Sequence, residues 1–275
     1  MKHLALVAIL GSVTPLAAQC SDAGVCRLGS RPESSDDSGF GVEFRLGAAA
    51  NKDIDYRTAS LGVSWQNDIG LHLVADLSVV SIDGPVGTAE GLGDTLVRAS
   101  YAVFDRFGTW SLLAGARLPT GDDNINPGLP QAYQTGLGPA DMQCGLGWEL
   151  SGFNAFVGYS LSGDANDLEG TELERGDDVV ASLSWQWQNE IFRPGLQIIA
   201  LQRLEESTIV ASTGGRQNVE GSDGLQVNIR PFLAWRIAGS TDLIASAAKP
   251  RQGRASDVDG LSRDWSFDIG LATRF

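Results

Sequence analysis

Hydrophobic and polar residues alternate with a period of two through much of this chain. The clearest stretch is Trp265-Ser-Phe-Asp-Ile-Gly-Leu-Ala-Thr-Arg-Phe275. Trp265, Phe267, Ile269, Leu271 and Phe275 share one parity, and only Thr273 interrupts the apolar series. Ser266, Asp268, Gly270, Ala272 and Arg274 share the other. Successive side chains of a strand point to opposite faces, so the pattern predicts a strand with one apolar and one polar or small face. A final aromatic suits the closing strand of a barrel in lipid, where no edge is left unpaired.

Similar segments recur. The alternation predicts twelve strands, at roughly 39–50, 55–66, 69–82, 92–104, 109–119, 138–150, 153–163, 177–187, 191–204, 223–237, 241–250 and 264–275. In the third, Ile69, Leu71, Leu73, Ala75, Leu77 and Val79 oppose Gly70, His72, Asp76 and Ser78. In the tenth, Leu225, Val227, Ile229, Leu233 and Trp235 oppose Gln226, Asn228, Arg230 and Arg236. A strand of about twelve residues, at roughly 3.3 Å each and tilted near 45°, crosses the hydrocarbon layer of a membrane.

Tight connections (66–68, 105–108, 151–152, 188–190 and 238–240) alternate with long polar ones near 83–91, 120–137, 164–176, 205–222 and 251–263. Short turns on one side and long loops on the other are expected of an outer-membrane barrel. Trp65, Trp110, Trp148, Trp185, Trp187 and Trp235 all lie near short turns, as an aromatic girdle requires, and only Trp265 lies at the other end. The expected fold is therefore all-β: a transmembrane antiparallel β-barrel of about twelve strands, outer-membrane type, over residues 39–275.

Composition adds limits. The 275 residues carry a formal net charge of −14, which argues against nucleic acid as a partner. No apolar run long enough for a membrane helix follows the first residues. Mean hydropathy is −0.05, as expected where apolar and polar residues cancel along each strand. Met1-Lys2-His3, the apolar run Leu4 to Leu10 and the small residues to Ala18 read as a signal peptide over 1–18. Cys20 raises a lipoprotein alternative, against which Gln19 argues. Residues 19–38 form either a periplasmic segment or a lumen plug, with Cys20 and Cys26 close enough to form a disulfide. Cys144 falls on the lipid-facing parity as an apolar filler.

The polar parity carries charges of both signs. Glu43, Asp76, Asp94, Asp141, Glu149, Asp178 and Asp268 are its acids. Arg45, Arg98, Arg117, Arg193, Arg203, Arg230, Arg236 and Arg274 are its bases. These residues, with His72, are expected to line a near-neutral pore. Arg193, Arg203, Arg230 and Arg236 fall on adjacent strands, and acids dominate the third to sixth. Two readings stand: a transverse field across a constriction, or interior salt bridges that fill a narrow barrel.

Gly91-Leu-Gly-Asp94 leads into Tyr101, followed by Ala114-Gly-Ala-Arg-Leu-Pro-Thr-Gly-Asp122 and Thr135-Gly-Leu-Gly138. This order resembles the outer-membrane transporter family named for the meta-pathway of phenol degradation, over residues 91–163 and in overall architecture. The matching residues are Gly93, Asp94, Pro119, Thr120, Gly121 and Asp122. The resemblance implies a channel for passive uptake of small hydrophobic or aromatic compounds. Pro119 donates no ladder hydrogen bond and suits a strand end, while Gly121 suits a tight exit into the 120–137 loop. The Cys20 to Cys26 segment lies outside the pattern.

Catalytic chemistry finds little support. His72 is the one histidine after residue 18, and Ser78 and Ser100 share its inward parity without a motif to mark either. No metal-ligand spacing, phosphate loop or dinucleotide fingerprint is present, so no cofactor is expected. An outer-membrane phospholipase and a closed structural or binding barrel are the alternatives to a channel. Expected partners are outer-membrane lipids and lipopolysaccharide, small organic solutes, and the barrel assembly machinery acting on the C-terminal strand that ends at Phe275.

Overall fold

The computed structural model describes residues 38–169, 171–211, 215–260 and 262–275. The 1–18 signal peptide and the Cys20–Cys26 pair lie outside the described residues. Sixteen strands follow in chain order. They are β1 (Gly39–Asn51), β2 (Ile54–Gln66), β3 (Leu71–Gly84), β4 (Gly87–Leu92), β5 (Thr95–Asp105), β6 (Gly108–Leu118), β7 (Asp141–Leu150) and β8 (Phe153–Leu161). Then come β9 (Thr171–Glu174), β10 (Asp178–Gln186), β11 (Phe192–Arg203), β12 (Thr208–Ala211), β13 (Arg216–Asn218), β14 (Gly224–Ala238), β15 (Thr241–Gln252) and β16 (Trp265–Arg274).

Twelve of these close into one antiparallel barrel, each paired with its sequence neighbours and β1 with β16. The closing seam runs from Gly41↔Arg274 to Ala50↔Trp265. Phe275 extends it, since its N–H donates to Phe40 O at 2.8 Å and its carbonyl accepts from Phe40 N at 3.3 Å. With this seam closed, every barrel strand has two neighbours, the condition a sheet must meet in a solvent that offers no hydrogen bonds.

The two faces are inverted relative to a water-soluble protein. Phe40, Phe44, Leu61, Leu77, Leu112, Leu146, Val157, Leu183, Ile198 and Leu271 stand on the outside. The largest fully buried side chains include Arg203, Gln226, Asn228, Asp141 and Asp259. Lipid covers the apolar outer belt, and the polar residues satisfy one another inside. An apolar patch also lines the lumen, where Phe156, Val180, Ile199 and Leu201 pack together with Leu113.

At the end that holds Gly39 and Phe275 the turns are short. Ser151 (φ 49°) and Gly152 (φ 83°) are the two central residues of a hairpin turn, both left-handed as the strand twist demands. Asn67 and Asn189 fix two other turns by accepting backbone N–H groups on their side-chain carbonyls. The girdle tryptophans sit at this end, with Trp110 and Trp148 ring centres 6.5 Å apart and Trp185 and Trp187 at 6.1 Å. Trp265 starts β16 at the opposite end.

The long connections depart from structureless loops. The 83–91 segment forms a hairpin: β4 pairs with the upper half of β3, from Val79↔Leu92 to Gly84↔Gly87. The 164–176 and 205–222 segments supply β9, β12 and β13, which form a separate three-stranded sheet. The alternation of short and long connections also has an exception, because β1 and β2 are joined at the long-loop end by Lys52 and Asp53 alone.

Candidate functional site

The loop that follows β6 folds inward. Its single 3-10 turn, Gln131–Tyr133, is buried. Tyr133 packs with Ala49, Tyr56, Val80, Ile82 and Ala89 on the inner face of β1–β4, and Ile54, Ile125, Leu129 and Ala132 complete that cluster. Gln131 Nε2 donates to Gly136 O at 2.7 Å, and its carbonyl accepts from Asn166 Nδ2 at 2.5 Å. The loop is thus tied both to the wall and to its neighbour loop.

Asp94 holds the two ends of this loop together. One oxygen accepts from Gly121 N at 3.1 Å; the other accepts from Leu137 N at 2.9 Å and pairs with Arg117. Thr120 donates its hydroxyl to Gly93 O at 2.9 Å. Thr135 N and Gly136 N both donate to Asp122 O, at 3.0 and 2.9 Å. The Gly93-Asp94 and Pro119-Thr-Gly-Asp122 segments therefore form one clasp at the neck of the loop.

Beside the clasp runs a chain of buried ion pairs. Arg117 Nε meets Asp141 at 2.9 Å, and Arg175 meets the same carboxylate at 2.6 Å. Arg203 pairs with Asp178 at 3.1 Å and Asp259 at 2.8 Å, and Arg254 reaches both. Burial alone would raise the Asp259 carboxyl, but the Arg203 and Arg254 guanidinium groups outweigh it and hold the group well below the usual carboxylate range. These pairs brace the loop end of the lumen.

Two cavities open between these elements of the described residues. The larger, about 340 Å³, occupies the half nearer the chain ends. Glu43, Arg45, His72, Asp76, Arg98, Glu149, Arg193 and Arg230 line it. The smaller, about 110 Å³, lies between the inner face of β2, β3 and β5 and the infolded loop, with Asp94 and Arg117 in its wall. Asp76 borders both cavities. Asp141 and Arg203 sit in the ion-pair chain at the loop end, and Arg236, about two-fifths exposed, stands at the other mouth.

The four arginines of β11 and β14 do not form one cluster. Arg193 and Arg203 lie ten residues apart on β11, about 33 Å along a strand. Their carboxylates differ with level along the barrel: Arg193 and Arg236 share Asp242 at 2.9 and 3.0 Å, and Arg230 reaches Asp268 at 3.7 Å. Arg98 pairs with Asp76 at 2.9 Å and Arg45 with Glu43 and Asp268. These charges of the described residues therefore stand in interior salt bridges. His72 faces the lumen with Ser100 opposite it in register, while Ser78 borders the small cavity. Cys144 is exposed on the lipid face.

Sequence reasoning did not single out Tyr56, Gln131, Tyr133, Asn166, Arg175, Arg254, Asp259 or Arg263. Tyr133 was the available signal, the one aromatic in the 120–137 loop, followed at once by Gln134-Thr135-Gly136.

The sequence model of the family described as the MetA-pathway of phenol degradation matches residues 30–260. The chain belongs to this family. The clasp residues are those by which the sequence resembles the phenol meta-pathway family. No curated protein sequence matches the chain. In fold, it is similar to an outer-membrane channel from Pseudomonas putida F1, with TM-score 0.64 and 14% identity over 88% of this chain and 97% of that one. The NanC porin gives TM-score 0.51 and 10% identity over 85% and 100%. The translocator domain of autotransporter NalP from Neisseria meningitidis gives 0.51 and 12% over 92% and 92%. This member of the phenol meta-pathway family has an outer-membrane barrel fold, and its apolar belt is in contact with membrane lipids.

Proposed function

We propose that the protein is a passive outer-membrane channel for small, weakly polar organic solutes, with aromatic compounds favoured by its family. One observation carries this reading: two cavities of mixed polar and apolar lining, both bordered by Asp76, lie inside a closed barrel whose interior charges are paired. A paired lumen has little excess charge with which to concentrate strongly anionic solutes, whereas a basic interior throughout would do so. Transport rather than catalysis is the reading of His72 as well. Alanine at His72 and Ser100 is expected to leave lipid hydrolysis at background.

The deciding experiment is single-channel conductance and liposome swelling with purified protein, with and without residues 19–38. Conductance supports the channel. Protein that passes no small solute in either form overturns it and leaves a closed structural barrel ahead. That second reading draws its support from the buried Arg203–Asp259 bracing at the loop end. Lipopolysaccharide and the barrel assembly machinery belong to the proposal as partners. Deleting Phe275 should slow assembly into the membrane, and normal assembly would remove that part.

A further inference from the structure

Two loops and three strands enclose the smaller cavity. The infolded loop supplies Gln131 and Thr135, and the 253–264 loop between β15 and β16 supplies Asp259, Gly260 and Arg263. Gly260 backs directly onto Ala132, so the two loops touch beside the cavity. Buried Val80, Ile82 and Leu96 of β3 and β5 form an apolar wall, with Tyr56 of β2 at its loop end.

Three carboxylates border this cavity, and each has a guanidinium: Asp76 pairs with Arg98, Asp94 with Arg117, and Asp259 with Arg203 and Arg254. Arg263 is the exception. It exposes only 6% of its surface and forms no ion pair among the described residues. Its guanidinium lies 3.5 Å over the Tyr56 ring, and Nη1 donates to the backbone carbonyls of Gly260 and Ser262. Nε has no hydrogen-bond partner among the described residues, and neither has the hydroxyl of the Tyr56 ring beneath it. Asp257 feels the Arg263 charge without pairing to it, because its oxygens accept from Asn51 Nδ2 at 2.8 Å and Ser262 N at 3.2 Å. A buried cation is costly without a counter-charge, and buried donors are ordinarily paired, so an anion gains both attraction and hydrogen bonds here. The cavity measures about 110 Å³, less than the ~150 Å³ that takes benzene, which favours a short chain over a ring.

We propose that the cavity binds a short-chain monocarboxylate, with Arg263 Nε and the Tyr56 hydroxyl holding the head and Val80, Ile82 and Leu96 holding the tail. The bound anion fastens the 253–264 loop to the barrel wall and braces the infolded loop beside it. This site goes beyond the channel reading and stands whether or not the barrel conducts.

The test is equilibrium dialysis of full-length protein in detergent against radiolabelled propionate, which should bind saturably at a single site. Propionamide, uncharged and of nearly the same shape, should compete about ten-fold less well or worse. Acetate, one methylene shorter, should compete about four-fold less well. Propionate should also slow amide exchange at 131–137 and 254–260. Arg263→Gln should weaken binding by about ten-fold or more. Val80→Trp fills the cavity with Arg263 in place and should abolish binding, while Ser111→Trp puts the same bulk in the larger cavity and should leave binding near wild type. Should either cavity variant fail to fold, the propionamide comparison and the exchange measurement on the wild type still decide. No saturable propionate binding, equal competition by propionamide, or binding that leaves exchange at both loops unchanged overturns the proposal. So does wild-type binding by Arg263→Gln or by Val80→Trp, or loss of binding in a folded Ser111→Trp.

Discussion

Gly121 and Gly136 touch across the neck of the infolded loop. A Cβ on Gly121 would stand 2.6 Å from Gly136 Cα, and one on Gly136 would stand 2.6 Å from the Gly121 carbonyl carbon. Backbone lies on both sides, so neither side can yield by a rotamer change. Alanine at either position should cost about 1–3 kcal/mol of loop anchoring. The barrel strands, whose ladder hydrogen bonds do not involve either glycine, should survive. The expected readout is a larger and noisier conductance with an unchanged β-sheet circular dichroism spectrum. Wild-type conductance would show that the neck does not set the aperture.

Asp94 is the second anchor. Asp94→Ala strips a buried guanidinium of a partner and leaves the N–H groups of Gly121 and Leu137 unpaired. Breaking one side of a buried pair costs about 3–5 kcal/mol. Urea unfolding in detergent should show the loss, and Asp94→Asn, which keeps the acceptor oxygen, should lose less. Equal stability of wild type and Asp94→Ala would remove the clasp from its structural role.

Loop 253–264 should respond to pH. Burial, then the neighbouring Asp259, pushes the Asp257 carboxyl up to about 6, against the opposing pull of Ser262 N–H and Arg263. Asn51 Nδ2 also donates to it at 2.8 Å. A raised acid stabilises the docked loop fully below its unfolded value near 3.8, and that contribution fades as pH rises through about 6. Asp257 keeps contact with solvent, so the effect is confined to local opening. Amide exchange at residues 254–260 and 262–263, corrected for intrinsic rate, should be slower at pH 5 than at pH 7.5. Asp257→Asn should flatten the difference.

The arginines of β11 and β14 should separate into two phenotypes. Glutamine at Arg193, Arg230 and Arg236 together leaves Asp242 and Asp268 in excess by the lower cavity, and should shift ion selectivity toward cations in reversal-potential measurements. Glutamine at Arg203 acts at the other end, where it leaves Asp178 and Asp259 with Arg254 as the remaining guanidinium partner that both share. It should lower stability by about 3–5 kcal/mol and leave selectivity near wild type. Matching phenotypes would restore a single arginine cluster.

The chain's own alternation determined the barrel. A period of two needs only neighbouring residues to express itself, and lipid punishes any break in it, so all twelve barrel strands were legible within a few residues. Which residues face inward followed from the same parity. The small sheet of β9, β12 and β13 was not legible, because those short polar strands exist only through pairing with one another. Nor was the level of each arginine along the barrel, which depends on register between strands. The inward fold of the 120–137 loop was not legible either. Tertiary structure decided it, because Asp94, Gly121 and Leu137 are far apart in the chain and meet only once β5 and β6 have paired. Parity assigns a side chain to a face, but only the closed barrel brings distant residues on that face within hydrogen-bonding distance.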